Sequence, residues 1–182
     1  MAWGMPFSAI LNGAAIIFPS SHLQTDPIIE IMINEKITKA IGIPTIWQGI
    51  YETLKKNNKA SLLRLKEFNV GGASAPPTFI ENFQNEFGIK TVHAWGMSET
   101  SPVVTVSKLL PEHDSLQESE KIKIRSFQGQ ELPGVEIRIV AEDGNIAPRD
   151  GKTVGEVQVR GAWIIDAYYK TNSNEVLVKM GG

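Results

Sequence analysis

Glu67-Phe68-Asn69-Val70-Gly71-Gly72-Ala73-Ser74-Ala75-Pro76-Pro77 changes character twice in a short span, and its reading decides the fold. Glu67–Val70 is a short strand running into the small-residue loop Gly71–Ala75. Pro76-Pro77 then opens a helix, since a first-turn N–H has no intrahelical partner to lose. Phe79, Ile80 and Phe83 face inward along that helix, Gly88 supplies its positive-φ stop, and Ile89–Trp95 is the next strand. Working upstream, Ile37–Ile43 is strand-like, and Pro44 opens a helix in which Ile46, Ile50 and Leu54 recur at spacing four on one face. Before it, Asp26-Pro27 starts a helix over roughly Pro27–Asn34, with Asp26 accepting from free backbone N–H groups, and Ala14–Phe18 reads as a buried strand. Strands separated by single helices predict right-handed β-α-β crossovers and a parallel sheet over residues 14–96. Ligands of such sheets bind beyond the carboxyl ends of strands, which here carry Gly71–Ala75 and Gly96–Ser101.

Downstream of Pro102 the pattern changes. Leu109–Gln130 is polar, with Ser115-Leu116-Gln117-Glu118 as a capping box for a short helix. Alternation at Val135-Ile137-Ile139 and Val154-Val157-Val159, with turn chemistry at Glu142-Asp143-Gly144-Asn145, predicts antiparallel strands forming a small barrel or sheet over residues 128–162. The fold class is therefore α/β, a parallel sheet flanked by helices followed by a small antiparallel β portion. The expected organisation is an α/β subdomain over 1–108, a connecting segment over 109–127 and a β-rich subdomain over 128–182, in which Lys170–Gly182 is polar and has no core-forming pattern.

Composition narrows the function classes. The 182 residues carry Lys+Arg 18 against Asp+Glu 20, a net charge of -2, 42% hydrophobic residues and no cysteine, which fits a globular domain and excludes a disulfide scaffold. No basic field exists to attract nucleic acid. The most apolar run, Ala14–Phe18, is far short of the ~20 residues that cross a bilayer, and no export signal precedes it, so a cytoplasmic protein is expected. His22, His93 and His113 share no metal-ligand spacing. Gly96-Met97-Ser98-Glu99-Thr100 approaches the G-x-S-x-G nucleophile elbow, with His93 and Asp114 as triad partners, but Thr100 stands where that turn needs a glycine, so a serine esterase is the remote alternative. The loop Trp95–Ser101 offers an aromatic face, a glycine, a hydroxyl and a carboxylate, suited to a flat base, a phosphate and a metal ion. The same residues also read as a core aromatic, a helix cap at Ser98 and a first-turn charge at Glu99, and residue chemistry alone leaves both readings open.

Taken together, the segments resemble the adenylate-forming superfamily, specifically its medium- and long-chain fatty-acid–CoA ligases. Trp95-Gly96-Met97-Ser98-Glu99-Thr100-Ser101-Pro102 resembles the family's aromatic-Gly-x-Thr-Glu motif with its Thr-Ser-Pro extension. Gly71–Pro76 is similar to its adenine-side loop, Gly42–Trp47 to its acyl-pocket segment, Gly155–Gly161 to its Gly-Glu-aliphatic strand, and Ala2-Trp3-Gly4 to the tail of the segment bordering the acyl tunnel. Ser98 departs from the usual threonine and Trp95 from the common tyrosine, each keeping the required hydroxyl or aromatic face.

The resemblance implies that ATP and a fatty acid give acyl-AMP and pyrophosphate, after which coenzyme A displaces AMP. It implies that Glu99 holds Mg²⁺ against the ATP phosphates, that Ser98 donates to the adenylate phosphate and that Trp95 stacks on adenine. Gly71, Gly72, Ala73, Ser74, Gly96 and Met97 would line the nucleotide, while Trp3, Thr45, Val70 and Ala94 would border the acyl tunnel. The family's Ser/Thr/Gly-rich phosphate loop, its Thr-Gly-Asp and its C-terminal catalytic lysine have no counterpart here, so the expectation is an internal fragment of the large N-terminal domain. Such a fragment is expected to be inactive alone and to self-associate through exposed surface. A non-catalytic acyl- or adenylate-binding or regulatory remnant is the alternative.

Overall fold

The structure, a computed structural model, describes residues 3–19, 21 and 23–170. Two contact units divide the chain, Met1–Trp95 with Thr105–Gln130 and Gly96–Val104 with Glu131–Gly182. The first begins with helices α1 (Met5–Leu11) and α2 (Thr25–Asn34), then strand β1 (Lys39–Gly42), helix α3 (Pro44–Asn57), β2 (Glu67–Val70), α4 (Pro77–Phe87) and β3 (Lys90–Trp95). β1, β2 and β3 are parallel, with Ala40 beside Phe68 beside Thr91 and Gly42 beside Val70 beside His93. β4 (Thr105–Val106) is antiparallel to β3, helix α5 (Glu118–Ser126) follows, and β5 (Gln130–Glu131) completes the order β1-β2-β3-β4-β5.

Register explains the core. Side chains at paired positions share a sheet face, so Phe68, Val70, Thr91 and His93 all point one way, and all four are buried. Against that face lie Ile28, Ile29 and Met32 of α2, Trp47, Ile50, Tyr51 and Leu54 of α3, and Phe79, Ile80 and Phe83 of α4, with Ile122 of α5 in the same cluster. Trp47 stacks on Phe68 with ring centroids 3.9 Å apart, and Phe83 meets Phe68 edge-on at 4.6 Å. The opposite face carries Ile41, Asn69, Val92 and Ala94, which are only half-buried.

In the second unit, β6 (Val135–Val140) and β7 (Glu156–Gly161) pair antiparallel, Ile137 opposite Val159 and Ile139 opposite Val157. The small antiparallel portion is thus a two-stranded sheet. Its turn forms where the sequence places it: Gly144 takes φ 81°, and Asp143 Oδ1 accepts the Asn145 N–H at 2.9 Å. The chain does not pass directly into β7, because Asp150 organises a second bend by accepting from the Lys152 and Thr153 N–H groups.

Four local expectations are corrected. Ala14–Phe18 is not a strand, and Ile17 and Phe18 are exposed: a β-branched apolar run becomes a strand only where a sheet edge accepts its backbone, and these residues join no strand among those described. α2 starts two residues early, with extended Gln24 before it and Asp26 inside the first turn, where it favours the helix dipole instead of capping. α5 is boxed by Gln117 and Glu120, the Gln117 N–H donating to Glu120 Oε2 at 3.0 Å, so Ser115 lies in the preceding turn. Val154 is exposed and outside β7, which begins at Glu156.

Candidate functional site

At the carboxyl ends of the parallel strands, the first unit gathers several of the expected residues. A Cβ on Gly71 would lie 3.0 Å from the Ala94 carbonyl oxygen of β3 and 3.5 Å from the Trp3 ring, and one on Gly72 would lie 3.8 Å from that ring and 3.5 Å from Ile43. The absent side chains therefore let an indole and a neighbouring strand end close on the bend. Gly72 also takes φ 78°, which glycine adopts without strain. Trp3, Gly71, Gly72 and Ala94 are in this way brought together, while Ala73 and Ser74 are exposed on the same loop and Trp95 is half-buried at the end of β3. Thr45 is exposed in the first turn of α3. Val70 is fully buried in the core, and Trp47, from the expected acyl-pocket segment, is likewise core, so neither presents open surface.

The second unit holds the motif Gly96–Pro102. A Cβ on Gly96 would come within 1.7 Å of the Pro102 carbonyl oxygen, so only glycine fits there. Ser98–Thr100 makes one 3₁₀ turn, and the wholly buried Thr100 Oγ1 accepts the Met97 N–H at 2.8 Å and lies within donating reach of the Met97 and Pro102 carbonyls, at 3.0 and 2.9 Å. Met97, with extended backbone, precedes the turn, and Ser98 is its exposed first residue, not its cap. Glu99 is held at both ends. Its carbonyl accepts the Ile165 N–H at 3.0 Å, and its Oε1 accepts the Tyr168 O–H at 2.6 Å. The tyrosine hydroxyl, with a further backbone hydrogen bond, lowers the Glu99 carboxyl below the ordinary glutamate value, while the same contact raises the Tyr168 phenol.

Glu99 is a single carboxylate, which could hold a metal ion only together with ligands from outside this side chain. Among the described residues no group of three or more His, Cys, Asp or Glu side chains could form an all-protein metal cage. Mg²⁺ ordinarily takes one or two carboxylates plus phosphates and waters, and an ionised carboxylate that accepts one phenol hydrogen bond retains lone pairs for a cation. The base that the esterase alternative calls for, His93, is fully buried in the core, away from solvent, with its Nδ1 3.2 Å from the Ser126 carbonyl. His22 lies outside the described residues.

Sequence reasoning missed Tyr168, Ile165 and the structural role of Thr100. The first two meet Glu99 across 69 and 66 positions, a separation with no local signal. Thr100 was legible in principle, as a hydroxyl residue closing a three-residue turn. Among the described residues no helix is long and apolar enough to cross a membrane.

Residues 1–169 match the family described as AMP-binding enzyme. The chain is 38% identical over 176 residues to the 3-methylmercaptopropionyl-CoA ligase of Ruegeria pomeroyi, a match covering 97% of this chain and 32% of that protein. It is 34% identical over 176 residues to the medium-chain-fatty-acid–CoA ligase of Ectopseudomonas oleovorans, with the same coverage. Among solved structures it is similar to O-succinylbenzoate coenzyme A synthetase of Bacillus subtilis in complex with ATP and magnesium ion, with TM-score 0.66 and 19% identity over 91% of this chain and 31% of that one. The chain thus spans about a third of the length of the curated relatives it matches.

Proposed function

This chain belongs to the AMP-binding enzyme family, and on that premise we propose that it serves an acid–CoA ligase, joining an aliphatic carboxylic acid of the fatty-acid class to AMP and then to coenzyme A. The observation that carries the reading is the closing of Trp3 and Ala94 on the Gly71-Gly72 bend at the carboxyl edge of the parallel sheet, where α/β sheets take ligands. The relatives support the coarser class, since they are named for CoA ligation of a thioether-bearing short acid and of medium-chain acids.

The chemistry calls for these groups. A carboxylate is a poor electrophile because its leaving group is oxide, whereas a mixed anhydride with AMP releases AMP, a stable phosphate, when a thiol attacks its acyl carbon. Negative charge that builds on the phosphoryl oxygens as the anhydride forms must be stabilised. In the proposal the exposed Ser98 hydroxyl donates to the adenylate phosphate, and the Trp95 indole stacks on the base. The Gly71–Ser74 backbone, with Gly96 and Met97, lines the nucleotide. Trp3, Thr45 and Ala94 border the acyl group, with Val70 supporting them from the core. Glu99, kept ionised, holds Mg²⁺, which supplies charge neutralisation on the phosphates when bound.

No Gly-rich phosphate loop ending in lysine occurs among these 182 residues. We therefore expect the chain to bind Mg·ATP without turnover. Pyrophosphate exchange, with 3-methylmercaptopropionate, octanoate and palmitate as acids, tests the turnover, and calorimetry tests the binding. Sustained exchange by the purified chain overturns the inactivity, and failure to bind either Mg·ATP or a non-hydrolysable acyl-AMP analogue overturns the ligase reading.

A further inference from the structure

Residues 163–168 run along the motif loop and touch it three times within the second unit. The Trp163 Nε1–H donates to the Val103 carbonyl at 3.2 Å, the Ile165 N–H to the Glu99 carbonyl at 3.0 Å, and the Tyr168 O–H to Glu99 Oε1 at 2.6 Å. The first two bonds hold main chain. The third holds a side chain whose flexible torsions would otherwise leave its carboxylate free to sample several directions.

Tyr168 is 53% exposed, and a hydrogen bond between two partly solvated groups contributes little to folding, because water replaces either partner. What such a bond does contribute is direction. A phenol is a rigid donor with two torsions, and it is anchored here by a segment already fixed at Trp163 and Ile165. It occupies one acceptor direction of the carboxylate, which has further lone pairs for other partners. Substrate and metal sites gain most from groups held in the bound geometry beforehand, since each degree of freedom frozen on binding reduces affinity.

We propose that Tyr168 is a positioning residue: its hydroxyl sets the orientation of the Glu99 carboxylate, and through it the affinity of the chain for magnesium-bound nucleotide. The inference rests on the reading of Glu99 as the magnesium-holding carboxylate. It assigns Tyr168 no contact with nucleotide, so metal-free ATP should be indifferent to it.

Calorimetry of the 182-residue chain with ATP, in EDTA and in excess Mg²⁺, separates the possibilities. Tyr168→Phe is expected to weaken binding of Mg·ATP about 5- to 10-fold while leaving metal-free ATP binding and the urea midpoint unchanged; Tyr169→Phe, at the neighbouring exposed ring, should change none of these. A spectroscopic readout accompanies it. With ring-labelled tyrosine, the Tyr168 ¹³Cζ resonance should move when Mg·ATP is added to the wild type, and should not move in Glu99→Gln. Equal Mg·ATP affinities for wild type and Tyr168→Phe, or a Tyr168 signal that ignores Mg·ATP, would overturn the positioning role while the ligase reading stands. A parallel loss of metal-free and Mg·ATP affinity would show a merely structural role. Absence of any nucleotide binding by the wild type would overturn the ligase reading and this inference with it.

Discussion

Thr100 shows how much a single hydroxyl organises in the motif loop. It is wholly buried, its Oγ1 accepts the Met97 N–H, and its single O–H proton has the Met97 or the Pro102 carbonyl within reach. Replacing it with valine keeps the branched shape and removes the hydroxyl that the Met97 N–H and the Pro102 carbonyl meet inside the turn. Thr100→Val is expected to destabilise the chain by about 1 kcal/mol, the usual net contribution of an intramolecular hydrogen bond. A urea midpoint indistinguishable from wild type would contradict this. The sequence motif drew attention to Ser98 and Glu99 because their chemistry is reactive, and passed over Thr100 because a threonine in a short turn is unremarked in a string of letters. The Gly96 requirement was visible as a glycine, but its cause, the Pro102 carbonyl pressed against its Cα, was not.

Helices α3 and α4 meet at a polar rim above their aromatic contact. The Tyr51 hydroxyl donates to Glu86 Oε1 at 2.5 Å and accepts from Lys55 Nζ at 3.2 Å, while Lys55 Nζ also donates to Glu86 Oε1 at 3.1 Å. Tyr51 first, then Lys55, holds the Glu86 carboxyl below its ordinary value. A carboxyl depressed on folding contributes stability that is present above its unfolded value and is lost as pH falls through the folded one. Tyr51→Phe should therefore raise the Glu86 pKa toward the ordinary value near 4.5 and blunt the acid-side loss of stability that Glu86 causes. Site-resolved ¹³C carboxyl titration reads this, and an unmoved Glu86 curve would contradict it. Within elements the sequence was largely legible. Pro77–Phe87 and Gly88 fall where the prolines and glycine put them, and β2 spans the expected Glu67–Val70. Legibility failed at Ala14–Phe18, where strand propensity lacked a partner, and at the start of α5, where Gln117 and Glu120 form the box instead of Ser115.

On the scale of the whole molecule, the sheet of the first unit is covered unequally. One face carries the aromatic core and the other leaves Ile41, Asn69, Val92 and Ala94 half-open, although parallel strands are normally buried on both faces. Phe7, Ile10 and Leu11 of α1 are exposed as well. Apolar surface of this kind drives association, so the isolated chain should sediment as more than a monomer at high concentration, and strictly monomeric behaviour across the concentration range would contradict this.

Glycine, proline and the spacing of apolar side chains act through the few residues on either side, and that is why the alternation of strand and helix, the Gly71–Ala75 and Gly96–Ser101 loops and the resemblance to adenylate-forming ligases were all readable in the linear chain. Burial and partnership belong to residues distant in sequence. Only the folded chain decided that Val70 and Trp47 are core, that Trp3 closes on the diglycine bend and that Tyr168 holds Glu99, because each depends on contacts across more than twenty residues, which local patterning does not encode.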